Sequence, residues 1–110
     1  RGCQRGQTMR LIAKLAERIG EETRDACSYA KLAVWARDEG YPDVGKVLVE
    51  IARQEVGHAD KLHSSVLSLI QERKSSGVEI PQGMLDVWEF EHSQMVEDMA
   101  YAKHQIDLYG

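Results

Sequence analysis

The stretch Ile51-Ala-Arg-Gln-Glu55-Val-Gly-His58-Ala-Asp-Lys-Leu62 decides how this chain is read. At helical spacing Ile51, Glu55, His58, Leu62 and Val66 fall on one stripe, because side chains three and four residues apart stand one above the other. Glu55 and His58 thus interrupt a line that is otherwise apolar. A carboxylate and an imidazole buried without partners would cost several kcal/mol. A metal ion is the simplest partner for both. Helical bundles that hold two metals use a Glu-x-x-His unit together with a lone Glu from a neighbouring helix. The rest of the chain is therefore searched for that Glu.

Upstream, the pattern predicts a first helix from about Thr8 to Glu39, with Thr8 as its cap. Its stripe reads Ile12, Leu15, Ile19, Glu22, Ala26, Tyr29, Ala33 and Ala36, and Glu22 stands where a solvating charge does not belong. Gly40-Tyr41-Pro42 is a helix stop. A second helix follows from Pro42 or Asp43 to Lys74, with the stripe Val44, Leu48, Ile51, Glu55, His58, Leu62, Val66 and Leu69 or Ile70. The short connection makes the two helices antiparallel neighbours. Glu22 lies nineteen residues before Tyr41, and Glu55 and His58 lie fourteen and seventeen after it. At about 1.5 Å per residue these three side chains reach one level of a hairpin. Ser75-Ser76-Gly77 ends the second helix. A third is expected from about Met84 to Leu108, with Trp88, Glu91, Met95, Met99, Ala102 and Ile106 on its stripe. Trp88, Met95 and Met99 are read as core. His63, His92 and His104 are expected to face outward. Tyr29 is either a hydrogen-bond donor behind the Glu22 side chain or a packing residue.

Composition narrows the function. The chain has 110 residues, 14 Lys and Arg, 18 Asp and Glu, and a formal net charge of −4; one domain of ordinary size is expected. No concentrated basic face argues for nucleic acid. No apolar run approaches the ~20 residues of a membrane span. Met9-Arg10-Leu11 leads straight into an amphipathic pattern, so no signal peptide is expected. Residues 1–7 lack periodicity and are read as a flexible arm before a helical domain at 8–110. Cys3 and Cys27 form no Cys-x-x-Cys pair and no disulfide framework, which makes a cytoplasmic setting the expectation.

Taken together, Glu22, the Asp38-Glu-Gly-Tyr41 corner and Ala52-Arg-Gln-Glu55-Val-Gly-His58-Ala59 resemble the rubrerythrin branch of the ferritin-like superfamily. The likeness covers residues 21–62 well and the third helix more weakly. It implies an all-α, antiparallel ferritin-like bundle with three long helices per chain. In such proteins the first-helix Glu is a terminal iron ligand, the second-helix Glu bridges two irons and the His completes one of them. Carried over, those roles fall on Glu22, Glu55 and His58. Glu91-His92 resembles the family's third helix and would make Glu91 a further ligand. Two departures stand out: Gln94 occupies the place where the family often has another Glu, and a fourth helix with a second Glu-x-x-His is missing. Either two chains associate and supply Glu22, Glu55 and His58 twice across a twofold axis, or Glu91 is a ligand and the fourth helix lies elsewhere. The first plan, a homodimer or higher homo-oligomer, is the expectation carried forward.

The resemblance implies two iron ions per site, with manganese or zinc as substitutes. The implied chemistry is oxidation of ferrous iron or reduction of peroxide, in iron handling or oxidative-stress defence, with no catalytic residue apart from the metal ligands. The four-cysteine rubredoxin centre of a rubrerythrin is lacking, so peroxide reduction would need an external electron donor. The alternative is a metal-free helical oligomerisation module in which the polar groups on the stripe fix register. A truncated rubrerythrin that has lost its activity is the third reading.

Overall fold

The computed structural model describes the backbone of residues 2–77 and 79–109 and the side chains of residues 10–77, 79–86 and 88–108. Three α-helices account for the architecture: α1 (Gly2–Asp38), α2 (Pro42–Ser75) and α3 (Gln82–Tyr109). No strand occurs among the described residues. The helices form a rod 58 × 19 × 18 Å, its length set by α1 itself at about 1.5 Å per residue. The backbone of α1 is helical from Gly2, ahead of the Thr8 start expected above. The side chains of the arm at residues 1–7, Cys3 included, lie outside the described set. None of the helices is long and apolar enough to cross a membrane, among the described residues.

The corner between α1 and α2 is built by hydrogen bonds that glycine makes possible. Gly40 takes φ 92°, a left-handed conformation open to a residue without Cβ. Its N–H donates to the Arg37 carbonyl at 3.0 Å, and the Tyr41 N–H donates to the Ala36 carbonyl at 2.8 Å. This pair of bonds satisfies the last carbonyls of α1 in the Schellman pattern. Pro42 then opens α2, where a missing N–H costs nothing. Gly77, with φ 77°, ends α2 the same way, donating to the Lys74 carbonyl at 3.1 Å.

Small residues set the α1–α2 seam. Ala26, Ala30 and Ala33 of α1 and Ala52 and Ala59 of α2 are wholly buried. Side chains this short let two helices approach closely along a line. The buried line of α2 is Gly45, Val49, Ala52, Val56, Ala59, Val66 and Ile70. That corrects the expected stripe from Val44 to Leu62, which lies one residue over, whereas Val66 and Ile70 at its far end are buried as expected. Val44, Leu48, Ile51, Glu55, His58 and Leu62 form a rim beside the seam rather than its floor. Both lines are apolar, and the smaller side chains won the interface because they pack closer. On α1 the expected stripe holds: Ile12, Ile19, Ala26 and Ala33 are buried and Leu15, Glu22, Tyr29 and Ala36 half-buried.

The third helix lies chiefly along α1. Trp88, Met95, Met99, Ala102 and Ile106 are buried, so its stripe is core as expected. Contacts with α1 come at Gly20, where a Cβ would lie 3.3 Å from Glu91 Oε2, and at Lys31, whose Nζ sits 5.3 Å from the Tyr101 ring centroid. Gly20 and Lys31 stand about 160–200° around α1 from Glu22 at 100° per residue. Thus α3 covers one flank of α1, and Glu22 faces the other.

Candidate metal centre

Glu22, Glu55 and His58 come together in the middle of the hairpin. Each offers one ligand atom, and these atoms all lie within 4.8 Å of one another. His58 Nδ1 stands 3.6 Å from Glu22 Oε2 and 3.7 Å from Glu55 Oε1. Those separations are too long for hydrogen bonds. Oxygen and nitrogen ligands about 2.1 Å from one ion sit about 3.0–3.4 Å from each other. Small side-chain movements therefore bring the trio around a cation.

The polar balance of the trio is incomplete. Glu22 Oε2 is buried and has no hydrogen-bond partner. Buried carboxylate oxygens in native proteins almost always have one. The Glu55 carboxyl beside it can share a proton with Glu22. Its pKa is raised from 4.5 to about 7, first by the hydrogen bond shared with Glu22, then by burial and by the Glu22 charge, with His58 opposing. Two carboxylates this close cannot both ionise cheaply, so Glu55 keeps its proton well above the ordinary carboxylate range. A cation would replace that proton and partner the orphaned oxygen.

The site is not sealed. The side chains of Glu22 and Glu55 are 15% and 19% exposed, whereas that of His58 is 57% exposed. The deep burial of Glu55 and His58 expected from sequence is thus corrected: they sit on the rim of α2, at the edge of the seam. Around them the same face is apolar and open. Leu11, Leu32, Val44, Val47 and Trp35 are exposed. A depression of about 460 Å³ lies toward the α1–α2 corner rather than at the trio, lined by Leu32, Trp35, Ala36, Glu39, Tyr41, Val44 and Leu48.

Arg18, one turn before Glu22, faces it from the solvent side. Its Nε lies 3.7 Å from Glu22 Oε1, and its Nη1 lies 2.9 Å from Glu21 Oε2. The Glu21 hydrogen bond and the charges of Glu21 and Glu22 raise the Arg18 pKa.

Glu91 is not brought to this cluster. Its Oε2 lies over Gly20, close to the place where Arg24 Nη1 also approaches, on the α3 flank of α1. The histidines of α2 and α3 give a further correction. Instead of facing outward, His63 and His92 are half-buried and stack, with ring centroids 4.9 Å apart and planes 15° from parallel. Trp88 stacks on His63 at 5.5 Å. Burial, and then the neighbouring His92, lower the His63 pKa, with Asp60 opposing. The signal missed in the sequence is His63 falling seven residues after Val56, on the buried line of α2. His104 is exposed, as expected. Tyr29 is half-buried and packs on the core. Cys27 is a free thiol.

No family model matches the chain, and no match occurs among curated proteins or solved structures. The site is therefore argued from its own geometry.

Proposed function

We propose that this chain supplies half of a carboxylate-bridged di-metal centre and that a second copy supplies the other half. The observation that carries this reading is the buried, partnerless Glu22 Oε2 beside Glu55 and the Nδ1 of His58. The donor set of two carboxylates and one imidazole suits iron or manganese. Doubling it gives four carboxylates and two imidazoles, the complement of a di-iron bundle site. The resemblance of residues 21–62 to rubrerythrins supports the same assignment within the ferritin-like superfamily.

The open face supports a twofold arrangement. An axis through the trio, perpendicular to the helices, would set Leu32, Ala36, Val44 and Leu48 of one hairpin against Leu11, Leu15, Leu62 and Leu69 of the other. Both sets lie about 10–20 Å along the helices from the trio, on opposite sides of it. Apolar side chains would then meet apolar side chains across both ends, and α3 would remain outside. Association of this kind would also dry the trio and strengthen its electrostatics.

The residues divide the work simply. Glu22 and Glu55 hold cations and neutralise them. Glu55 releases its shared proton as a cation arrives, which couples binding to pH. His58 offers Nδ1, completes the set and is the most solvent-accessible of the three. When bound, a pair of iron ions supplies the redox couple that passes electrons from ferrous iron to dioxygen or peroxide. Iron oxidation for storage, or peroxide reduction with an external electron donor, is the activity proposed.

Metal content per chain and mass in solution, measured together on protein from iron-supplemented medium, test this. The expected outcome is about one iron per chain in a dimer. About two per chain would move the site to within each chain and bring Glu91 back in. No bound metal would leave the exposed apolar face as the main feature and favour the helical oligomerisation module instead.

A further inference from the structure

Among the described residues, Arg18 is the cationic side chain paired with the trio, through Glu22. Its side chain is 64% exposed, while that of Glu22 is 15% exposed. It reaches Glu22 on Oε1, the oxygen turned away from His58, leaving Oε2 to face the imidazole. The contact with Glu22, at 3.7 Å, is an ion pair without hydrogen-bond geometry. The contact with Glu21, at 2.9 Å, is a hydrogen bond. The guanidinium thus has a firm partner on the surface and a looser one at the site. Helical spacing makes the division possible, since Glu21 and Glu22 stand three and four residues after Arg18.

We propose that Arg18 is a positioning residue that stands in for the missing cation and sets the affinity of the site by leaving it. This rests on the metal-site reading above and deepens it. In the metal-free protein the guanidinium offsets the charge of Glu22 and holds that side chain beside Glu55 and His58. Once a divalent cation occupies the trio, the guanidinium becomes a like charge beside it. Glu21 then retains Arg18 on the surface while the Glu22 contact opens. Lys14 does not substitute for it, because it stands eight residues, about 12 Å along α1, before Glu22. The cost of the exchange is small, as exposed ion pairs are weak. Arg18 therefore tunes binding over a modest range and does not lock the site.

The test uses Mn²⁺ alone, titrated into the full-length protein at pH 8, with free Mn²⁺ read by electron paramagnetic resonance. Protein mass and helix content are checked for each variant. Arg18→Gln is expected to bind Mn²⁺ roughly three- to tenfold more tightly than the parent. Glu21→Gln, which frees Arg18 to sit wholly on Glu22, is expected to bind severalfold more weakly. Glu17→Gln removes the same charge without freeing Arg18 and is expected to stay within about twofold. The gap between the parent and Arg18→Gln should also narrow in high salt, because both partners face solvent. A parent that binds Mn²⁺ with an Arg18→Gln variant that binds equally or less tightly would overturn the role of Arg18 and leave the metal site standing. Equal losses in Glu21→Gln and Glu17→Gln would overturn it as well, since charge alone would explain both. A parent that binds no Mn²⁺ at all overturns the site and this proposal together.

Discussion

The two flanks of α1 differ in how far the chain finishes them. On the α3 flank, Lys31 lies over the Tyr101 ring, and His63, His92 and Trp88 form one stack between α2 and α3. Polar groups there have neighbours, and large side chains are buried. On the Glu22 flank, a carboxylate oxygen lacks a partner, the Glu55 carboxyl is held above its ordinary range by Glu22, and Val44, Val47 and Trp35 face solvent. The first flank is a core that this chain completes alone. The second has the chemistry of a site and the surface of an interface. The contrast puts the proposed cation site and the proposed association surface on the same side of the hairpin, away from α3.

The largest expected effect tests whether the α3 flank is the stable one. Trp88→Ala should cost about 3–5 kcal/mol, as deleting a buried indole does, whereas Trp35→Ala on the open flank should stay within about 0.5 kcal/mol. Urea unfolding of both variants measures the gap; equal losses would erase the distinction between the flanks. Next in size is the division of the acidic residues. Glu55→Ala should weaken Mn²⁺ binding by more than about 100-fold, since a ligand matters more than its supporting shell. Glu91→Gln should leave it within about twofold, and a large loss there would bring Glu91 into the centre after all. Smaller again is association. Val44→Lys puts a charge on the open face at a side chain that is already exposed. It should shift the mass in solution toward monomer by at least about tenfold in dissociation constant, a hot-spot-sized effect, with the helix content unchanged.

The smallest effects are the pH dependences, which run in opposite directions on the two flanks. The folded pKa of Glu55 is raised to about 7. Its contribution to stability is therefore full below its unfolded value of 4.5 and is lost as pH rises from 4.5 to 7. The folded pKa of His63 is lowered, so its contribution is full above the unfolded value of 6.5 and is lost as pH falls below that. Both changes fall below about pH 7 and oppose each other, so thermal melts between about pH 4.5 and 8, with chelator present, separate them by variant. Glu55→Gln should leave a melting temperature that rises with pH over this window, and His63→Phe one that falls. Saturating Mn²⁺ should raise the melting temperature of the parent most at the alkaline end, where protons compete least.

Much of this was legible in the residues, for reasons that can be named. The corner at Gly40-Tyr41-Pro42 carries turn chemistry that fixes where one helix stops and the next begins. From such a corner, a count along two regular helices brings Glu22 to Glu55 and His58. The depth of the site was less legible. The line of Val44, Leu48 and Ile51 and the line of Val49, Ala52 and Val56 are both apolar, so periodicity alone does not choose between them. The choice was made by shape, as Ala26, Ala30 and Ala33 meet the smaller residues of α2. The rotation of α3 was least legible. No turn of fixed geometry ties it to α2, so neither the stack of His92 on His63 nor the placing of Glu91 over Gly20 follows from sequence spacing. The open flank was legible only as an absence of partners for residues that the hairpin brings together.

The corner at Gly40 has a consequence for which changes of length this chain tolerates. Because it clamps the two helices rigidly, it acts as the zero mark of a ruler, and the trio is a reading at a fixed mark on each arm. One residue inserted between Glu22 and Gly40 would turn Glu22 by about 100° and raise it by about 1.5 Å. It would then take the place Glu21 holds now, on the solvent side beside Arg18, and miss Glu55. Seven residues added to one arm restore its direction within about 20° but leave it about 10 Å too high. Only matched additions of two turns to both arms keep the mark. Length is thus free to vary beyond the trio, toward the open ends of α1 and α2, and is frozen between the trio and the corner.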